Sequence, residues 1–128
     1  MREQNPQIQI EYKNRINKVF DYIERNISEQ LNLEDLADVA SFSKYHFVRI
    51  FFGITGETPF QFINRIRLEK AAMLLVVNPQ LSVSDIAIKL GFTDISIFSR
   101  NFKSFFGVSA STYRKEKKQY SNLSQTEG

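Results

Sequence analysis

The sequence predicts an all-α fold of about seven helices, which form two helix-turn-helix subdomains joined by a long linker helix. Three observations support this prediction. Apolar residues recur at spacings of three and four, and no segment alternates with period two. Capping residues, glycines and prolines divide the chain into segments of helical length. Parts of the chain also match one another when it is shifted by 50 or 51 residues, which indicates an internal repeat.

The first three helices are each marked by local signals. The first helix carries one apolar stripe, made of Tyr12, Ile16, Val19, Phe20, Ile23 and Ile27. Asn32 is the expected N-cap of a short helix over residues 33–40. Ser43 caps a third helix that runs to about Ile54, and Gly56 closes it.

The predicted linker helix is bounded by two prolines. Thr58 is a good N-cap, and Pro59 stands at the first helical position, where a missing N–H costs nothing. The helix runs to about Val77, because Asn78-Pro79 disfavours further helix.

Three more helices follow the linker. Ser82 caps a short helix that ends at Leu90, with Gly91 just beyond its end. The next helix covers residues 94–106 and stops at Gly107, and Ser109 caps a last helix. That helix ends in a basic run, which either reaches phosphate or is an ordinary solvated face: Arg114, Lys115, Lys117 and Lys118.

The internal repeat defines the predicted domain organisation. The aligned pairs are Leu36/Ile86, Ala37/Ala87, Phe42/Phe92, Phe47/Phe98, Arg49/Arg100, Phe51/Phe102, Gly56/Gly107 and Phe62/Tyr113. The second copy has one extra residue between Phe92 and Phe98. The expected divisions are a first subdomain at 8–57, the linker helix at 58–78, a second subdomain at 79–118 and a polar tail at 119–128.

Each copy has the pattern of a helix-turn-helix. Ala37 precedes Ser41 by four residues, and Ala87 precedes Gly91 by four. A small residue lets the two helices cross closely, and the turn favours glycine because its φ is positive. Ser41 departs from that preference, at a cost of about 1 kcal/mol.

The same periodicity predicts the buried side of each second helix. In the first copy we expect Phe47, Ile50, Phe51 and Ile54 to be buried. In the second we expect Phe98, Phe102 and one of Phe105 and Phe106.

The composition excludes several classes of protein. A chain of 128 residues without cysteine has no disulfide, thiolate metal site or cysteine nucleophile. With His46 as its single histidine, a histidine-ligated metal or a Ser-His-Asp triad is not expected. The longest apolar run, residues 71–77, is far shorter than the about 20 residues of a membrane helix. No leader is apparent, so we expect a cytoplasmic protein that is not an enzyme, needs no cofactor or metal, and has no membrane partner.

The charge is unevenly distributed. Residues 1–40 hold five basic and eight acidic side chains, a net charge of −3. Residues 41–128 hold twelve basic and six acidic, a net charge of +6. A basic face suits a polyanionic partner. An ordinary solvated surface is the alternative from charge alone.

Residues 12–115 resemble the DNA-binding domain of AraC/XylS-type bacterial transcription regulators. The most specific motif residues lie in the second copy: Ile86, Ala87, Gly91, Phe92, Phe98, Arg100, Phe102, Lys103, Gly107, Ser109 and Tyr113. The first copy matches at Leu36, Ala37, Phe42, Ser43, His46, Phe47, Arg49, Phe51 and Gly56. The opening half of the chain, especially residues 46–51 and 56–59, resembles the subgroup with a separate small-molecule-binding domain after the DNA-binding domain. No such domain is present in the 128 residues, so a fragment and a stand-alone regulator are both open.

The resemblance implies a sequence-specific transcription regulator that binds double-stranded DNA. Its two recognition helices are expected to enter successive major grooves, about one helical turn apart. The residues expected to face DNA are Lys44, Tyr45, Val48 and Arg49 in the first copy and Ser96, Ile97, Ser99, Arg100 and Lys103 in the second.

The sequence also leads to expectations about partners and to two alternative functions. We expect RNA polymerase as a partner, a monomer on DNA, and association with the nucleoid when bound. One alternative is a helical protein-interaction module. Val48, Phe52 and Gly53 favour it, because they stand where the family that the chain resembles commonly has polar or basic residues. The other alternative is the DNA-targeting module of a larger protein.

Overall fold

A computed structural model describes the backbone of residues 5–127 and the side chains of residues 5–119. Within this part of the chain there are seven helices and no strand, so the all-α prediction is confirmed. The helices are α1 (Pro6–Arg25), α2 (Leu33–Val39), α3 (Lys44–Thr55), α4 (Pro59–Val77), α5 (Val83–Lys89), α6 (Ile95–Phe106) and α7 (Ala110–Glu127). The chain divides into two compact units, and the division falls inside α4, between Asn64 and Arg65.

The first unit is built around an aromatic and aliphatic core. Its fully buried residues come from α1, α2, α3 and the start of α4: Ile16, Val19, Ile23, Leu36, Ala37, Phe47, Phe51 and Ile63. Phe62 packs edge-on against Phe51, with 5.4 Å between ring centroids, and stacks on Phe20 at 5.1 Å. Each buried Val, Leu, Ile or Phe side chain contributes about 1.5–3 kcal/mol, so the core positions α3 firmly.

The second unit repeats this packing. Ile86 and Ala87 of α5 are buried, as are Phe98 and Phe102 of α6. Tyr113 of α7 lies edge-on to Phe102 at 5.6 Å, which matches the contact of Phe62 with Phe51 in the first unit. The repeat found in the sequence is therefore also a repeat of core contacts.

Both helix-turn-helix turns have the predicted backbone. Ser41 has φ of 60° and Gly91 has φ of 91°. In each turn the following phenylalanine N–H donates to the carbonyl of the buried alanine, from Phe42 to Ala37 and from Phe92 to Ala87, both at 3.0 Å. Among the residues that the structure describes, Ser41 is the only non-glycine residue with a positive φ. The turn of the first unit is therefore strained at the position where the second unit has glycine.

Replacing Ser41 with glycine is expected to raise the free energy of unfolding by about 0.5–1 kcal/mol, because glycine adopts this backbone without a Cβ clash. Urea denaturation followed by circular dichroism measures the change. The matched control is Ser99→Gly in the middle of α6, where the same substitution lowers helix propensity and costs about 0.5 kcal/mol. A loss of stability in Ser41→Gly would contradict the strain at this turn.

Most helix ends follow the predicted caps. Ser43 and Ser82 each accept a hydrogen bond from the first turn of the helix that they precede, and Asp94, predicted as the first residue of its helix, is instead its N-cap. The side chains of Thr58 and Gln61 exchange hydrogen bonds with each other's backbone N–H at 3.2 and 2.9 Å, which makes a reciprocal cap at the start of α4.

Two helices are longer than the sequence predicted. α1 begins at Pro6, with Asn5 as its N-cap; the side chain of Asn5 accepts from Gln7 N at 2.8 Å. This is the same cap-then-proline signal as at Thr58-Pro59, and the apolar stripe alone did not reveal it. α7 continues to Glu127, through most of the segment expected to be a polar tail.

An arginine of the predicted basic run has a structural role in the second unit. Arg114 is half-buried and donates to three backbone carbonyls where α4 ends: Leu75 at 2.9 Å, Asn78 at 3.2 Å and Leu81 at 2.7 Å. The loop between α4 and α5 has carbonyls that no helix pairs, and Arg114 satisfies them.

Candidate nucleic-acid interface

The second helix of each helix-turn-helix presents one exposed face, held in place by phenylalanines on the opposite face. In α3, Arg49 lies midway between the buried residues Phe47 and Phe51. In α6, Arg100 lies midway between Phe98 and Phe102, which are also fully buried. Residues two positions away on a helix point to the opposite side. Both arginines therefore point away from the core of their own unit.

The exposed face of α3 is built around Tyr45 and Arg49. Tyr45 is 73% exposed, and the guanidinium carbon of Arg49 lies 5.7 Å from the centre of its ring. This cation–π contact orients the guanidinium but leaves its N–H groups available for acceptors. Among the residues described, Arg49 has no acidic partner.

The other two candidates on α3 differ in exposure: Lys44 is exposed and Val48 is half-buried. The Nζ of Lys44 is 3.4 Å from a carboxylate oxygen of Glu34, but both side chains are exposed, so this ion pair contributes little. Val48 is half-buried and packs against the core of its unit. Only its outer part can face a ligand.

All five candidates on α6 lie on its exposed face. Ser96, Ser99, Arg100 and Lys103 follow the three-and-four spacing of one helical face, and Ile97, 44% exposed, lies beside them. The Oδ1 of Asp94 accepts from Ser96 N at 2.8 Å and from Ile97 N at 3.3 Å. This cap fixes the first turn of α6, where recognition helices contact base edges.

The structure corrects one prediction about the buried face of α3 and decides between two candidates on the buried face of α6. Ile54, predicted to be buried, is 38% exposed, because α1 and α3 leave an open groove beside it. Of the two candidates in α6, Phe106 is the one that packs inward, with its ring 4.5 Å from that of Phe102. Phe105 is 47% exposed.

His46 is part of an aromatic cluster. Its ring lies edge-on to Phe42 at 4.9 Å and to Tyr12 at 5.9 Å. These contacts fix the first turn of α3 against α1. In the described part of the chain, no three metal-ligating side chains come together, and no helix is long and apolar enough to cross a membrane.

Gly53 lies in the interior of α3 with open space around it. A Cβ added there meets no atom within 4 Å. We therefore expect Gly53→Ala to raise the free energy of unfolding by about 1 kcal/mol, the difference in helix propensity between the two residues. Thermal unfolding of the variant measures this gain. A loss of stability would show that the space beside Gly53 is filled in solution.

Comparison with known proteins gives one family and several relatives. The helix-turn-helix domain family matches residues 36–116, which includes α3, α6 and both turns. The HTH-type transcriptional activator AarP of Providencia stuartii is 34% identical over 108 residues, covering 84% of this chain and 79% of AarP.

Solved structures share the fold. The DNA-binding domain of AdpA, a global transcriptional factor solved in complex with a target DNA, matches with a TM-score of 0.78 at 28% identity. The match covers 82% of this chain and 94% of that domain. A probable AraC family transcriptional regulator from Rhodopseudomonas palustris matches with a TM-score of 0.71 at 28% identity, over 80% of this chain and 96% of that one.

Proposed function

Because the chain belongs to the AraC/XylS family of helix-turn-helix transcription regulators, we propose that it controls transcription by reading double-stranded DNA with α3 and α6. The two helices enter successive major grooves, as the family implies. Arg49 reads one block of base pairs and Arg100 reads the other, each through paired hydrogen bonds to a guanine.

The observation that carries this proposal is the repeated placement of one arginine. In each unit, an exposed arginine stands between two buried phenylalanines on the second helix of a helix-turn-helix. The buried rings determine the rotation of the helix, so the arginine is held on the outer face. Tyr45 and Val48 beside Arg49, and Ser96, Ile97 and Ser99 beside Arg100, supply further contacts to bases. Lys44 and Lys103 supply contacts to phosphate.

The proposal extends to partners and location. We infer that the protein acts in the cytoplasm on nucleoid DNA and binds as a monomer to an asymmetric site. It has no enzymatic activity of its own and acts through contact with RNA polymerase.

Selection from a random pool of DNA duplexes tests the proposal. We expect one enriched motif made of two short blocks separated by about one helical turn. Affinity for that motif is expected to fall steeply with salt, because phosphate contacts release counterions. A pool that shows no enrichment at low salt would reject sequence-specific binding.

A helical protein-interaction module is the second candidate function. It is favoured by Phe52, which lies on α3 and is 52% exposed. The selection experiment separates the two functions, because an interaction module enriches no DNA motif.

A further inference from the structure

A groove runs between α1 and α3 in the first unit, next to the exposed face of α3. Its volume is about 730 Å³, and it is open to solvent. Small-molecule sites have volumes of about 300–1,000 Å³. The groove is therefore large enough for a ligand of modest size.

The described lining of the groove carries positive charge. Lys13 of α1 and Arg49 of α3 both line it, and among the residues whose side chains the structure describes no aspartate or glutamate does. Neither side chain forms an ion pair with any residue whose side chain the structure describes. Two cations that share a concave surface with no carboxylate favour an anionic occupant.

The rest of the lining combines the polar side chain of Gln9 with aromatic and aliphatic side chains. The rings of Tyr12 and His46 meet edge-to-face at 5.9 Å and line one part of it. Ile50, which packs against the core of the unit, lines another part. The combination suits a molecule with an apolar body and one anionic group, rather than a bare inorganic ion.

The fold does not require a glycine at position 53. Gly53 lines the groove within a helix, has no positive φ, and has nothing within 4 Å of an added Cβ. Its counterpart in the repeat is Ser104, so the second unit forms the same helix with a side chain at that position. Glycine inside a helix costs about 1 kcal/mol relative to alanine, and what it provides here is open space.

We propose that this groove binds a small organic anion. Its carboxylate lies between Lys13 and Arg49, since the guanidinium fork matches carboxylate geometry. Its apolar body lies against Tyr12, Ile50 and the open surface of Gly53. Arg49 cannot hold a ligand and a base at the same time, so the anion competes with DNA. This last consequence rests on the proposed function of Arg49, whereas binding in the groove does not.

Titration of the full chain, labelled with ¹⁵N, tests the groove without DNA. The probe is 2-naphthoate at low salt, and 2-naphthamide is a neutral probe of the same shape. We expect saturable shifts confined to amides around the groove. We expect 2-naphthamide to bind about tenfold more weakly, because it cannot pair with the two cations. Inorganic phosphate is expected to give no saturable shift.

Three variants locate the site. Lys13→Gln is expected to weaken 2-naphthoate about threefold, since an exposed charge pair is worth little more. Lys18→Gln removes another exposed lysine of α1, one that does not line the groove, and is expected to change nothing. Gly53→Met places a flexible side chain in the groove and is expected to abolish binding. Its far-ultraviolet circular dichroism should stay that of the parent, because methionine is a good helix former.

The proposal is overturned by any of three results. Equal binding of 2-naphthoate and 2-naphthamide would show that Lys13 and Arg49 do not contribute to binding. Equal weakening by Lys13→Gln and Lys18→Gln would show a diffuse charge effect. Saturable binding of phosphate as tight as that of 2-naphthoate would make the groove a contact for DNA phosphate. If the probe binds as expected but does not displace the selected duplex, competition for Arg49 is wrong while the site stands.

Discussion

Replacing Arg100 with alanine is expected to weaken binding of the selected duplex by about 5- to 150-fold, which corresponds to about 1–3 kcal/mol. The side chain is exposed, and buried Phe98 and Phe102 fix the helix beneath it. The loss should come with relaxed base preference in one block of the motif, while the other block keeps its preference. Fluorescence anisotropy at one salt concentration, with duplexes altered in each block, measures both effects.

Matched variants distinguish the loss of a base-specific contact from the loss of a positive charge. Arg49→Ala is expected to relax the other block, and the double variant should lose close to the sum of the two free energies if the arginines read separate blocks. Arg25→Ala removes an exposed arginine from α1, outside both recognition helices, and should leave the base preferences unchanged. If Arg100→Ala lowers affinity equally for all duplexes, Arg100 contacts phosphate and the proposed base contact is wrong.

Replacing Arg114 with alanine is expected to lower the free energy of unfolding of the second unit by about 2–4 kcal/mol. The side chain donates to the carbonyls of Leu75, Asn78 and Leu81, within 2.7 to 3.2 Å. Its loss removes this donor from partly buried carbonyls, of which only that of Asn78 keeps another donor among the described residues, the N–H of Leu81 at 3.1 Å; this costs more than the loss of an exposed hydrogen bond. Urea denaturation followed by circular dichroism measures the change.

Two further variants test the geometry of this contact. Lys115→Ala removes the neighbouring exposed cation and should alter stability by less than about 0.5 kcal/mol. Arg114→Lys keeps the charge but should recover only a small part of the loss, because one ammonium group does not reach three carbonyls as the guanidinium does. If Arg114→Ala unfolds at the same urea concentration as Lys115→Ala, the contact does not stabilise the unit.

The helices, the turns and the repeat were readable from sequence because their signals are local. A cap such as Ser82 bonds to a residue three positions away, at Asp85. The strained turn at Ser41 follows from its alignment with Gly91. The one strong local signal that was missed, Asn5-Pro6, lay ahead of the apolar stripe that defined the first helix.

The side-chain environments that depend on neighbouring helices were not readable in this way. Ile54 has the spacing of a core residue, yet it is 38% exposed, because burial depends on whether α1 reaches that end of α3. The groove there joins Lys13 to Gly53, residues far apart in the chain. The sequence periodicity of one helix does not show which part of its surface a distant helix covers.

Sequence by itself determined that this protein is a pair of helix-turn-helix units with one outward arginine in each, because capping and helical spacing act within a few residues. Tertiary structure alone decided which basic residues remain available to a ligand. Arg114 belongs to a run that looked suited to phosphate, but it holds carbonyls 33 to 39 residues away. Arg49 and Lys13 line an open groove and form no ion pair with any side chain that the structure describes. The physical reason is that a cation pairs with whatever acceptor the packing of distant helices brings near, and only the folded chain specifies that acceptor.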